Sequence, residues 1–198
     1  MFQAVKRIIL ASGSPRRRDF MDGLGVAYEV RPSRAEEPAP EAGEGPAPYA
    51  ERMAVMKARE VAGRFPGAVI IGADSVVAVG EHILGKPADE ADAVRMLMLL
   101  SGKTHQVITG VCLIGCSGEE KVFSASTDVT MTPFPETVAK AYAATGEPLD
   151  KAGAYAIQGR AACLVSHVEG SYTNVVGLPL ARVLEVLVSW GVIVPRQG

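Results

Sequence analysis

Residues 6–24 read KRIILASGSPRRRDFMDGL. The apolar run Ile8-Ile9-Leu10-Ala11 predicts a buried strand, and Ser12-Gly13-Ser14 a short polar turn leading out of it. Pro15 then opens a helix, because a proline at the first helical position forfeits only an N–H that would be unpaired there anyway. The first turn of that helix carries Arg16, Arg17 and Arg18. Cations are disfavoured at this end, where a helix already carries about half a positive charge. Two explanations stand side by side. One is an anion, most economically a polyphosphate, held by hydroxyls, backbone N–H groups and guanidinium forks. The other is a solvated arginine run behind an ordinary serine N-cap.

Working outward, the elements read as a mixed α/β fold. Tyr28-Glu29-Val30 predicts a short second strand. Residues 32–48, PSRAEEPAPEAGEGPAP, predict an exposed loop, and a loop of that length in a compact domain is functional or mobile. Tyr49 to Ala62 has helical spacing, with Met53, Met56 and Val61 on one side and Lys57 among them. Ala68 to Ile71 predicts a buried strand ending at Gly72-Ala73-Asp74. Ala88 to Leu100 predicts a helix with its apolar stripe on Ala91, Val94, Leu97 and Met98. Val107–Gly115 and Lys121–Met131 flank the turn Ser117-Gly118 as a hairpin. A helix follows over Pro135 to Ala144, then a Gly-rich stretch over 145–174 that is loop-like apart from Cys163-Leu164-Val165. An amphipathic helix over Val175 to Ser189 closes the chain. There is no internal repeat and no clear linker.

Composition bounds what such a chain does. The 198 residues suffice for one large domain or two small lobes with a sizeable core, and 48% apolar with 21% charged residues is ordinary for a soluble globular protein. A net charge of −2 offers no general attraction to nucleic acid or to an anionic membrane, so any anion site is local. No apolar run approaches the eighteen or so residues that span a bilayer, and the stretch before Ser12 is too short for a signal peptide. Cytoplasm is the expected compartment. Cys112, Cys116 and Cys163 form no metal-ligand pattern, and four residues along a strand separate the first two by roughly 13 Å, so free thiols are expected.

Three further segments carry candidate chemistry. Gly80 to Lys86 has the spacing of a phosphate-binding P-loop, but the next residue is Pro87, which lacks both the hydroxyl and the N–H that motif requires. Lys86 is left as a lysine on a turn, either a solvated side chain or a phosphate contact. Asp74-Ser75 stands beyond the carboxyl end of an apolar run, where α/β folds place ligands. Asp74 there is a magnesium ligand, a general base, or a turn residue. In Asp150-Lys-Ala-Gly-Ala-Tyr-Ala-Ile-Gln-Gly159, small residues let backbone approach a ligand, and the Gln158 amide has the donor and acceptor to read a base edge. The alternative is a glycine-rich loop whose glutamine satisfies backbone groups. His82, His105 and His167 have no ligand spacing and receive no role. Together these signals describe a nucleoside triphosphate enzyme.

The motifs Leu10-Ala-Ser-Gly-Ser-Pro-Arg-Arg17, Gly72-Ala-Asp-Ser75, Ile83-Leu-Gly-Lys-Pro87, Leu100-Ser-Gly-Lys-Thr-His105, Asp150-Lys-Ala-Gly-Ala-Tyr155, Ile157-Gln-Gly159 and Val175-Val-Gly-Leu-Pro-Leu180 resemble, in order along nearly the whole chain, the Maf family of nucleoside triphosphate pyrophosphatases. The resemblance implies a single domain over 1–198. Its fold would be mixed-sheet α/β, two-lobed with a central cleft, similar to inosine triphosphate pyrophosphatase (Ham1), and usually a homodimer. It also implies hydrolysis of a nucleoside triphosphate to the monophosphate and pyrophosphate with a divalent cation, Mg²⁺ or Mn²⁺. The residue matching Asp74 is the family's proton acceptor, and those matching Arg16, Ser75 and Gln158 go with substrate choice. Ser14-Pro-Arg-Arg17 and Tyr155-Ala-Ile-Gln-Gly159 resemble the branch acting on dTTP and UTP, whereas the 7-methyl-GTP branch typically has Tyr where Arg16 stands.

Two positions depart from the family pattern. Ser75 replaces a usual Thr, and Glu36-Glu37 replaces a usual Asp-Glu. On this reading Asp74 and Glu37 hold the metal. Ser12, Ser14, Arg17, Lys57 and Lys86 contact the phosphates, and Arg18 is a solvated neighbour. The rival class is a nucleotide-binding regulator of cell division without turnover.

Overall fold

Strand pairing fixes the first level of the architecture. The computed structural model describes residues 1–80 and 82–196. In chain order the strands are β1 (Phe2–Ala4), β2 (Ile8–Leu10), β3 (Glu29–Val30), β4 (Val69–Val79), β5 (His82–Leu84), β6 (Thr104–Ile114), β7 (Glu120–Met131), β8 (Val165–Glu169) and β9 (Ile193–Pro195). The helices are α1 (Pro15–Leu24), α2 (Pro46–Arg64), α3 (Glu90–Leu100), α4 (Glu136–Ala143), α5 (Tyr172–Val176) and α6 (Leu180–Ser189). The fold is therefore mixed α/β, with a mixed sheet in hydrogen-bonded order β3-β2-β4-β6-β7-β8, β5 pairing with β4, and a separate antiparallel pair of β1 and β9. The chain divides into two compact units, one of residues 1–74, 109–125 and 177–198, the other of residues 75–108 and 126–176.

In the first unit, β2 runs parallel to both neighbours, with Ile8 opposite Val69, Leu10 opposite Ile71, and Ile9 opposite Glu29. Parallel strands buried on both faces need continuous apolar runs, and β2 and the first residues of β4 have them. Successive side chains alternate between faces. Ile8, Leu10, Val69, Ile71, Val111 and Leu113 face a core completed by Met21 and Leu24 of α1 and Val183 and Leu187 of α6. Ile9, Ala11, Ile70, Cys112 and Ile114 face the other way, onto Ala54, Ala58 and Val61 of α2. Helices thus cover both sides of the sheet in this unit.

α2 lies unusually close to that sheet. A methyl added at Gly72 of β4 would stand 2.7 Å from the Ala54 carbonyl oxygen and 2.8 Å from the Ala58 Cβ. One added at Gly110 of β6 would stand 2.3 Å from the Ala50 carbonyl. Ala50, Ala54 and Ala58 recur every four residues and are fully buried, so a stripe of small side chains on the helix meets two bare glycines on the strands.

In the second unit, α3 and α4 pack on each other and on Val77, Leu84, Val107, Val129 and Met131. α3 begins at Glu90, two residues after the expected start, because Asp89 caps it: the Asp89 carboxylate accepts the Asp92 N–H at 2.8 Å. Buried His105 meets the Tyr155 hydroxyl through Nε2 at 2.8 Å, and burial lowers its pKa from 6.5 to about 4.

Four sequence expectations need correction. The buried face of α3 is Ala93, Met96, Leu97 and Leu100, whereas Ala91 and Met98 of the expected stripe are exposed, because the helix turns the former face onto the core. β4 does not end at Asp74 but continues to Val79, because Val76-Val77-Ala78-Val79 extends the apolar run and pairs antiparallel with β5. The closing helix is two helices, interrupted at Gly177-Leu178-Pro179, where Gly177 takes φ 128° and Pro179 cannot continue a hydrogen-bonded turn. Residues 145–174 are ordered as three short 3-10 segments, β8 and the start of α5 rather than as plain loop. The three cysteines are free, as expected. No helix of the described residues is long and apolar enough to cross a membrane.

Gly110→Ala is expected to cost about 1–3 kcal/mol in urea denaturation through overpacking. Gly23→Ala in α1, where nothing lies within 4 Å, should instead stabilise by up to about 1 kcal/mol; equal losses in the two variants would contradict the close approach of α2. His105 gives a pH signature. Its folded pKa lies below its ordinary value, so the unfolded chain binds the proton first. Its contribution is then complete above pH 6.5 and is lost as pH falls toward about 4. Denaturation midpoints measured between pH 6.5 and 5 should fall more steeply for the native chain than for His105→Gln.

Candidate active site

The turn expected from Ser12-Gly13-Ser14 forms where predicted, with the Ser12 Oγ accepting the Ser14 N–H at 3.2 Å and Pro15 opening α1. β2 runs parallel to β4, so where β2 ends at Leu10 the turn emerges beside Gly72-Ala73-Asp74 of the continuing β4. Arg17 joins the end of β2 to the middle of β4. Its Nη1 donates to the Ser12 Oγ at 3.0 Å and to the Ala73 carbonyl at 2.9 Å, while its Nε donates to the Gly177 carbonyl at 2.7 Å. At least three of the five N–H groups of a guanidinium are thereby spent on the protein. The side chain is buried, which draws its pKa below the ordinary arginine value, with the charge of Asp74 opposing that shift.

The three arginines are accordingly unequal: Arg17 is buried, Arg16 half-buried and Arg18 exposed. Arg17 answers the electrostatic question raised by the sequence in part, since a cation at a helix start is tolerated when carbonyl oxygens and a hydroxyl surround it.

Asp74 and Ser75 are half-buried in the middle of β4, with buried residues on both sides of them. Asp74 lies two residues beyond Gly72 and so shares its face, the one covered by α2. Lys57, one turn along α2 from Ala54, reaches it there: the Lys57 Nζ donates to the Asp74 Oδ1 at 2.6 Å. The same ammonium lies 2.7 Å from the Glu37 Oε1. Lys57 and Asp74 are 14% and 15% exposed, so this pair is shielded from solvent on most sides and screened less by salt than a surface bridge. Two carboxylates from distant parts of the chain thus converge on one cation.

The stretch expected as an exposed loop is laid along α2. The Arg64 Nη2 donates to the Pro32 carbonyl at 3.0 Å, and the Arg34 N–H donates to the Glu60 carboxylate at 3.1 Å. Further on, the Tyr49 hydroxyl donates to the Pro38 carbonyl at 3.1 Å. The Arg52 guanidinium grips Glu44 with both arms, at 2.7 and 2.5 Å, which holds the Glu44 carboxyl down at about 2. Glu37, meeting Lys57, falls midway along this row. Sequence reasoning missed Arg52, Glu44 and Tyr49, although an acid eight residues before an arginine at a helix start was a legible cue.

Ser75, Lys86 and Gln158 belong to the second unit. Ser75 follows Asp74 on β4 and faces the opposite side of the strand. Lys86 is exposed on the turn after β5, and that turn is tied to the glycine-rich segment by the Gly153 N–H, which donates to the Gly85 carbonyl at 2.9 Å. Gln158 is exposed. Among the described residues no three acidic, histidine or cysteine side chains form a metal-ligand cluster. Asp74 and Glu37 nonetheless supply hard oxygen donors directed at one cation. Magnesium commonly binds through one or two carboxylates and completes its shell with water and substrate phosphate, so this donor set fits it.

The profile of the Maf-like protein family matches residues 7–190. The dTTP/UTP pyrophosphatase of Nitratidesulfovibrio vulgaris is 49% identical over 192 residues, covering 97% of this chain and 91% of that protein. The dTTP/UTP pyrophosphatase of Geobacter sulfurreducens is 50% identical over 183 residues, covering 91% of this chain and 95% of that protein. Among solved structures, the Ham1 protein of Staphylococcus aureus is similar at a TM-score of 0.46 and 19% identity, over 64% of this chain and 72% of that one.

Arg17→Lys is expected to lose about 2–4 kcal/mol of stability, since a single ammonium cannot reach the Ser12, Ala73 and Gly177 acceptors together. A variant with the native denaturation midpoint would show that Arg17 does not join these segments.

Proposed function

The chain belongs to the Maf family, and we propose that it is a pyrophosphatase acting on dTTP and UTP, releasing the monophosphate and pyrophosphate with a divalent cation. The observation that carries this reading is the Lys57 ammonium at 2.6 Å from Asp74 and 2.7 Å from Glu37, at the middle of β4. Its support comes from near full-length relatives, about half identical, that are named dTTP/UTP pyrophosphatases.

Such hydrolysis is achieved by positioning and electrostatic stabilisation. Asp74 orients a water for in-line attack on the α-phosphorus and takes its proton. Lys57 holds the Asp74 carboxylate through Oδ1, and a carboxylate offers two oxygens and about four lone-pair sites, so the water and a cation have places beside that bond. Asp74 and Glu37 would hold a magnesium or manganese ion, which would supply positive charge to the phosphate oxygens. Lys57 and Lys86, with the Ser12 and Ser14 hydroxyls and Arg16, add charge and hydrogen bonds along the triphosphate. Arg17 contributes chiefly by fixing Ser12 and the Ala73-Asp74 stretch of β4. Gln158 reads the pyrimidine edge with its paired donor and acceptor, and Arg16 and Ser75 share in substrate choice.

Pyrophosphate release across a panel of triphosphates, with and without Mg²⁺ or Mn²⁺, tests the proposal. Turnover is expected for dTTP and UTP above the purine triphosphates; turnover of none would favour a nucleotide-binding regulator. Asp74→Asn should lower kcat by several orders of magnitude with the denaturation midpoint retained, and near-native turnover in it would remove Asp74 from its role. Gln158→Ala should raise KM for dTTP and UTP more than for the other triphosphates.

A further inference from the structure

Gln158 stands in a short segment of the second unit that carries little regular structure, and a base-reading amide must be held still to discriminate. The segment is fastened on both sides of Gln158 by one pair of side chains. Two residues before it, the Ala156 N–H donates to the Tyr142 hydroxyl at 3.2 Å. Two residues after it, the Arg160 N–H donates to the Glu147 carboxylate, at 3.1 Å to Oε1 and 3.3 Å to Oε2. The two holders are joined to each other, since the Tyr142 hydroxyl donates to the Glu147 Oε1 at 2.8 Å.

Local sequence explains why this pair stands ready. Tyr142 is on the buried face of α4. That helix ends at Thr145-Gly146, where Gly146 takes φ 75°, a left-handed conformation that suits glycine. The Thr145 Oγ1 donates back to the Tyr142 carbonyl at 2.7 Å and accepts the Glu147 N–H at 3.3 Å, and Pro148 prevents the helix from continuing. Glu147 is thereby turned back toward the ring of Tyr142. Gly159 supplies the room: a methyl there would stand 2.4 Å from the Glu147 Oε1, so only a bare backbone lets the carboxylate come in behind the segment.

We infer that Glu147, acting through Tyr142, is a positioning residue that sets base specificity by fixing the peptide segment carrying Gln158. The inference rests on the proposed reading of Gln158 as the base-contacting residue. Loss of the carboxylate frees the Arg160 N–H and removes the acceptor that orients the Tyr142 hydroxyl. Gln158 then samples several positions, and pyrimidine preference falls while the chemistry at the α-phosphorus is left alone.

The test uses Glu147→Ala, Glu147→Gln and Tyr142→Phe in the full chain, with dTTP, UTP, ATP and GTP. Glu147→Ala should raise KM for dTTP and UTP about tenfold or more, change kcat by less than about threefold, and lower the pyrimidine-to-purine ratio of kcat/KM about tenfold. Glu147→Gln keeps a carbonyl acceptor and should restore the ratio to within about threefold of the native value, while Tyr142→Phe should fall between. Amide hydrogen exchange gives a readout independent of turnover: residues 156–160 should exchange faster in Glu147→Ala, with α3 and β6 protected as in the native chain. A folded Glu147→Ala that keeps the native base ratio and native exchange at 156–160 would overturn the inference. If the native chain turned over no triphosphate, the functional reading itself would fail. Exchange at 156–160 together with calorimetric binding of dTTP against GTP would then decide the role of Glu147 alone: loss of both protection and preference supports it, and retention of either refutes it.

Discussion

The first unit is organised by the distance at which α2 meets the sheet. Gly72 and Gly110 have no side chains, and Ala50, Ala54 and Ala58 have small ones, so helix and strands approach until backbone atoms nearly touch. That approach does more than bury area. It sets the height of Lys57 above β4, and a lysine at that height reaches the carboxylate two residues beyond Gly72. Were a larger side chain interposed, the helix would stand off and the 2.6 Å contact with Asp74 would open. The electrostatics of the candidate site are thus a consequence of steric fit along the helix.

The same helix carries the second acid. The chain from Pro32 to Glu44 follows α2 in reverse, fixed by Arg64 and Glu60 near one end and by Tyr49 and Arg52 near the other. Each of these hydrogen bonds is at or near the surface, and such contacts are individually worth little. Acting on one segment they hold it in register, and Glu37 arrives at Lys57 from the middle of the row. Lys57 then stands where two carboxylates need a cation, which keeps both acids oriented toward the same point.

Much of this was legible in the sequence. The strand, turn and proline-started helix over residues 8–24 formed as read, and the 3.6-residue spacing gave α2 and α3 to within a few residues. It misplaced the buried face of α3, because apolar residues on several sides of that helix leave its inward face unfixed by spacing alone. Asp74 was singled out from the chain and Glu37 through the family resemblance, and both carboxylates contact the Lys57 ammonium. What escaped depended on partners distant in sequence. Nothing local says that Arg17 turns inward to carbonyls of Ala73 and Gly177, since an arginine beside a helix start looks the same whether it faces an anion or the protein. Nor does a glycine in a strand announce which helix lies over it. The extension of β4 past Asp74 was hidden because a polar pair inside an apolar run looks like its end, whereas here the strand continues through it. The break at Gly177-Leu178-Pro179 was the opposite case, with both helix-breaking residues in plain view.

Isotopic labelling reads which phosphorus of a pyrimidine triphosphate the water attacks. Hydrolysis of UTP in ¹⁸O-enriched water, followed by mass spectrometry of the products, should place the label in the monophosphate and leave pyrophosphate unlabelled. Label in pyrophosphate, or release of orthophosphate in its place, would contradict the account.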